Sequence, residues 1–341
     1  MALTETGPGW VLQTLVTAGA AALGLAACAA LAVVEWASWL MVLPGRKPGT
    51  LAAELQFETD PNAPGRRLGE PIEAFAPDGV RLAGLWHAAD PGEAERHGHP
   101  RGTVLVLHGF AEDPSTLRDR MAALNGHGWN AAALDTRAHG RSGGDRGSFG
   151  GREAADVRAW VDALSASGRL DGADEEPGRE VRVAVWGRSM GAAIAARAAA
   201  NDPRIGAVVL EAPYVDLEVT LTRVLRRRRV PLAGLLAWVV LRRAERLAGV
   251  SLARPRPIDV AARVHVPVLV LHGTDDTLIP PEEARRLAAA FPSPAAYLEV
   301  PGAGHNSVVE AGGAALLEHV ATFLDRSLAL TARDETGSPR A

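Results

Sequence analysis

A chain of 341 residues with a formal net charge of −4 is long enough to bury a sizeable core, and its charge gives no global reason to expect nucleic acid as a partner. The single cysteine, Cys28, excludes an internal disulfide framework and fits a reducing compartment. No Cys/His cluster with zinc spacing, Gly-rich phosphate loop or internal repeat occurs in the sequence, so neither a metal nor an organic cofactor is expected.

From Val11 to Val34 the chain is apolar apart from Gln13, Thr14 and Thr17, and carries no charge. About twenty such residues span the hydrocarbon of a bilayer. Trp10 on one side and Trp36 and Trp39 on the other resemble an aromatic belt, with Glu35 at headgroup level. Residues 1–43 are therefore expected to form a transmembrane anchor. Glu5 is the only charged side chain before the span, while Arg46 and Lys47 follow it, which predicts that the chain after the span lies on the cytoplasmic side. Ala27-Cys28-Ala29 has the form of a signal cleavage site, and Leu25-Ala26-Ala27-Cys28 resembles a lipoprotein box. Against both, no positive residue precedes the run, and the run continues past the cysteine.

Residues 44–67 are rich in Pro, Gly and charge and read as a linker. The main domain is expected over residues 68–328, with a disordered tail over 329–341. Ile72 to Phe75 and Val80 to His87, joined by Pro77-Asp78-Gly79, predict an antiparallel hairpin. Strands are then expected at Thr103 to Leu107, Asn130 to Leu134, Val181 to Trp186, Ile205 to Leu210, Val266 to Leu271 and Ala296 to Val300. Helices are expected between them around Leu117 to Leu124, Val157 to Leu164, Ala192 to Ala200 and Pro281 to Ala290, with a last one from Val308 to Leu328. Such alternation gives an α/β fold, a mostly parallel sheet covered on both faces, with sites at the carboxyl ends of the strands.

One stretch carries the chemistry. Gly187-Arg188-Ser189-Met190-Gly191 lies between a β-branched strand and an Ala-rich helix, so Ser189 is expected at the tip of a sharp turn, with Gly187 and Gly191 where no Cβ fits. A serine hydroxyl needs a base to take its proton and a third group to fix that base. Asp276 and then His305 follow downstream in loops after strands, in the order acid then histidine. Arg188 reads either as a solvated charge or as a substrate contact.

His108-Gly109-Phe110, the Asp135 to Ser142 loop, the Gly187 to Gly191 turn, His272-Gly273-Thr274-Asp275-Asp276 and Gly304-His305 together resemble the α/β-hydrolase family of serine hydrolases, in its serine aminopeptidase and lysophospholipase-like branch. The resemblance covers about Leu68 to Leu328. It implies Ser189 as nucleophile, His305 as base and Asp276 as the acid, with Asp275 a turn residue, and an oxyanion hole made by the backbone N–H groups of Phe110 and Met190. His108 and His139 would brace loops. Ala138 stands where relatives commonly carry glycine, which puts the shape of that loop in question.

Between Leu210 and Val266 the chain is too long for a simple connection and predicts a helical cap over residues 213–257. Leu217, Leu221, Val224 and Leu225 fall on one helical face, Arg226 to Arg229 form a basic run, and Val230 to Leu241 is apolar. On an anchored chain this element suggests contact with anionic headgroups, beside the plainer reading of a lid with a solvated arginine face. The apolar N-terminal run and the resemblance together predict a membrane-anchored hydrolase of a carboxylic ester or thioester, small or lipid-like. Serine peptidases and acyltransferases use the same triad, and the competing class is a non-catalytic membrane-bound binding protein on the same scaffold.

Overall fold

The computed structural model describes residues 9–43, 69–97, 100–170, 183–292 and 295–333. The expected linker at 44–67, the loop at Asp171 to Glu180 and the tail beyond Arg333 lie outside them. The elements run α1 (Gly9–Val42), β1 (Glu70–Phe75), β2 (Arg81–His87), α2 (Pro91–His97), β3 (Thr103–Leu107), α3 (Arg118–Gly126), β4 (Asn130–Leu134), α4 (Glu153–Ala166), β5 (Val183–Arg188), α5 (Met190–Ala199), β6 (Ile205–Glu211), α6 (Leu217–Arg227), α7 (Ala233–Ala248), α8 (Pro257–Ala261), β7 (Val268–Gly273), α9 (Pro281–Ala288), β8 (Ala296–Val300) and α10 (Val308–Arg333).

The eight strands form one sheet in the order β1-β2-β4-β3-β5-β6-β7-β8. β1 pairs with β2, and β2 with β4, antiparallel, while the remaining pairs are parallel. The central strands are apolar runs because both faces are covered: every residue of β3, β4, β5 and β6 is buried. The edge strand β1 instead alternates, with Ile72 and Ala74 inward. One face packs against α4 through Val157, Trp160, Val161 and Leu164 and against α5 through Ala192 to Ala196; the other packs against α3 and α10 through Met121, Leu124, Leu316, Val320 and Leu324.

Several boundaries differ from expectation: β7 lies two residues later than expected at both ends, and β1 starts two residues earlier. α10 continues past Leu328 to Arg333, bent at Gly313, which takes φ 55°. A short helix, α2, occupies Pro91–His97, where no element was expected, started by Asp90, whose carboxylate accepts from the N–H of Gly92 and Glu93. The cap consists of α6 and α7, both within 213–257. Asp216 caps α6 by accepting from the N–H groups of Glu218 and Val219.

Candidate active site

β5 ends at Arg188 and α5 begins at Met190, so one residue, Ser189, makes the turn. It adopts φ 51° and ψ −108°, a conformation costly for any residue with a Cβ and kept only where neighbours enforce it. Its N–H donates to Glu211 O at 2.8 Å, at the end of β6. A Cβ on Gly187 would lie 2.1 Å from Gly191 O, and one on Gly191 would lie 2.4 Å from Leu107 O. Both glycines are thus required by backbone contact.

The carboxyl ends of β5, β7 and β8 bring three side chains into line. His305 Nε2 is 3.0 Å from Ser189 Oγ, and His305 Nδ1 is 2.7 Å from Asp276 Oδ2. Asp276 is buried, and its Oδ1 accepts from the N–H groups of Leu278 and Ile279, each at 2.8 Å. Burial alone pushes this carboxyl up, but the hydrogen bond and charge of His305, the Ile279 N–H and nearby His272 outweigh it and hold Asp276 below its usual range. The result is a carboxylate able to fix the His305 tautomer with Nδ1 protonated and Nε2 open to the hydroxyl proton. Asp275 is exposed and bonds Thr274 Oγ1.

Close packing of Gly191 on the Leu107 and His108 carbonyls sets the start of α5 against the loop after β3. Met190 and Phe110 belong to those two segments, and among the described residues no group takes up either N–H. The N–H of the intervening Gly109 donates to Glu112 Oε2 at 3.0 Å, which fixes that loop. The Phe110 ring stacks on Phe149 with centroids 5.0 Å apart.

Arg188 is neither a solvated charge nor a side chain held out for substrate. It is 5% exposed and bonds Glu112 Oε2 at 2.7 Å and Asn306 Oδ1 at 2.8 Å. It therefore ties the loop of Phe110 to the loop of His305 from beneath the turn. Below it, the fully buried Glu211 pairs with Arg120 and accepts from Trp186 Nε1 at 3.1 Å. Two guanidinium groups and two carboxylates balance in this cluster, which is how four charges persist there. Sequence reasoning missed it: Arg188 and Glu112 are 76 positions apart, and no local pattern links them.

The other histidines sit in the supporting loops. Burial lowers His108 to about 4, and its neutral ring donates from Nδ1 to Gly109 O while Nε2 accepts from Thr136 N–H. Burial, with the neighbouring His108, likewise lowers His139 to about 4. His272 bonds Ile279 O at 2.8 Å and lies 3.3 Å from Asp276. Ala138 takes φ 62°, so alanine here accepts the left-handed conformation that suits glycine. Asp135 packs against Gly140, and burial raises it to about 7.

A sheet of this order with a strand-turn-helix serine and a neighbouring histidine and carboxylate defines an α/β-hydrolase class of protein. Comparisons agree: a family model described as serine aminopeptidase, S33, matches residues 98–258, and one described as TAP-like protein matches residues 246–335. An uncharacterised protein of Mycobacterium tuberculosis is 32% identical over 263 residues, 77% of this chain and 81% of that one. A monoacylglycerol lipase of Mycolicibacterium smegmatis is 27% identical over 256 residues, 66% of this chain and 88% of the lipase. An esterase structure from Pyrococcus furiosus shares the fold, with TM-score 0.58 at 24% identity over 76% of this chain and 91% of the esterase. The chain belongs to the α/β-hydrolase family, and this kinship supports hydrolase activity of the esterase and lipase kind.

Proposed function

We propose that the chain is a membrane-anchored serine hydrolase that cleaves a carboxylic ester or thioester through an acyl-enzyme. The observation that carries this reading is the hydrogen-bonded line from Ser189 Oγ through His305 to Asp276. His305 Nε2 takes the proton as Ser189 attacks the substrate carbonyl. Negative charge then grows on the carbonyl oxygen, where the N–H groups of Phe110 and Met190 stabilise it, and each such donor is worth about two orders of magnitude in rate. His305 returns the proton to the departing alcohol or thiol, and Asp276 stabilises the imidazolium throughout. Water, activated by the same histidine, releases the acid.

The domain reading that goes with it is an anchor over 1–43, a linker over 44–67 and a catalytic domain over 68–328, with the catalytic domain on the cytoplasmic side. Every residue of α1 from Gln13 to Val33 is exposed to its surroundings, as a lipid-facing segment would be. A lipid-like substrate is favoured by that anchor, by the apolar cap and by the lipase among the relatives. The test is pre-steady-state hydrolysis of p-nitrophenyl esters of increasing chain length. A burst of one p-nitrophenolate per chain, with the highest kcat/KM on long chains, is expected. No burst and no turnover by folded protein in lipid would overturn the assignment.

A further inference from the structure

The lower part of α1 has partners in the folded domain. From Val34 to Val42 it lies along the cap helix α7. Ser38 Oγ, fully buried, lies 3.1 Å from Val240 O and shares its one proton between that carbonyl and Val34 O at 2.6 Å, and the Glu35 carboxylate takes both Nε and Nη2 of Arg243, at 2.7 and 2.8 Å. Gly147 N–H donates to Val42 O at 2.9 Å. The part above it, Gln13 to Val33, is exposed at every residue, and at 1.5 Å per residue it is about 31 Å long, the thickness of a bilayer's hydrocarbon. If the span fills the hydrocarbon, its boundary falls next to Glu35, and the face of α7 docked there sits at headgroup level.

A pocket of about 520 Å³ opens at that level between α1 and α7, and none of Ser189, Asp276 and His305 lines it. Its α1 side carries Leu31, Ala32 and Val34 and the Glu35 carboxylate; its α7 side carries Trp238 and then Arg242, Arg243 and Arg246. The carboxylates beside it account for two of these cations: Glu35 holds Arg243, and Glu245 holds Arg242 at 2.7 Å. Arg246 is exposed and has no such partner among the described residues. The same cap exposes Leu232, just before α7, and Leu235 and Trp238 on it, at 76%, 58% and 48%, beside the exposed Arg226 to Arg229. An apolar strip bordered by cations is how an interfacial element meets anionic lipid.

We propose that this pocket binds one anionic phospholipid, its phosphate on Arg246 and an acyl chain along Leu31, Val34 and Trp238. The inference rests on α1 spanning the membrane. It makes the cap a second membrane contact, held at the bilayer surface by the clasp between Glu35 and Arg243. A basic side chain near an anionic surface contributes roughly fivefold in binding.

The experiment uses the full chain in neutral detergent, with native mass spectrometry against phosphatidylglycerol and phosphatidylcholine, beside flotation of the same protein with phosphatidylcholine vesicles. One retained phosphatidylglycerol per chain is expected, preferred over phosphatidylcholine, with about fivefold weaker retention in Arg246→Gln. Trp238→Ala should weaken both lipids alike, and glycerol 3-phosphate in excess should displace neither. Flotation without a phosphatidylglycerol preference, or a preference unchanged in Arg246→Gln, overturns the site and leaves the anchor standing. Displacement by glycerol 3-phosphate overturns the lipid as occupant. Failure to float overturns the anchor and the site together.

Discussion

Replacing Arg188 should slow the chemistry without weakening substrate binding. Arg188 donates to Glu112 on the loop of Phe110 and to Asn306 beside His305. Met at this position removes both bonds and strips the half-buried Glu112 carboxylate of its cation, a change expected to cost about 3 kcal/mol of stability. The two loops would then be free to shift relative to Ser189, and a displacement of about 1 Å in such a site costs on the order of a hundredfold. Because the interactions lost matter only as charge develops, kcat should fall about 10- to 100-fold while KM moves by less than about threefold. Arg188→Lys should rescue only part of this, since one ammonium cannot serve two partners in the planar geometry of a guanidinium. Asn306→Ala, at an exposed position, should show a smaller fall in kcat with little loss of stability. The assay is steady-state hydrolysis of p-nitrophenyl butyrate, with a thermal melt of each variant. A folded Arg188→Met protein with wild-type kcat would refute the brace.

Asp276→Asn should leave the fold intact and lower kcat by about four orders of magnitude, because the amide no longer selects the His305 tautomer that accepts the serine proton; steady-state rates check it. Gly191→Ala places a Cβ 2.4 Å from Leu107 O, so the turn must open; a loss of about 1–3 kcal/mol in denaturant unfolding is expected, with activity falling alongside. Asp135 concerns pH. With burial raising it to about 7, the folded chain keeps a proton there that the unfolded chain releases above about pH 4, so through this group stability falls as pH rises from about 4 to 7. Asp135→Asn should therefore lose less stability than wild type between pH 5 and pH 7.5, as measured by urea unfolding, and equal losses would contradict the assigned burial effect.

The sheet was legible in the sequence because its central strands are buried on both faces and so appear as short apolar runs punctuated by glycine-rich turns. β3, β4 and β8 fall at the expected residues. The turn around Ser189 was legible for a local reason: two close backbone approaches demand Gly187 and Gly191 at fixed offsets. Boundaries were less so. α10 extends past the expected end because nothing in Ala329 to Arg333 stops a helix, and α2 was hidden because its seven residues open on Pro-Gly and carry no periodic apolar face. The contacts that hold the site are of another kind. Arg188 with Glu112, Arg120 with Glu211 and Arg243 with Glu35 each join residues more than seventy positions apart, through charges that look solvated in a one-dimensional reading. The burial that creates these pairs appears only when the sheet assembles.

The proposed function requires that Ser189 be an activated nucleophile. The full chain, reconstituted in lipid, would be treated with a fluorophosphonate probe and the adduct mapped by peptide mass spectrometry. A single adduct on Ser189 is predicted, lost in His305→Ala and slowed in Asp276→Asn. An unlabelled wild-type protein with an intact melting transition, or an adduct on a different residue, would contradict it.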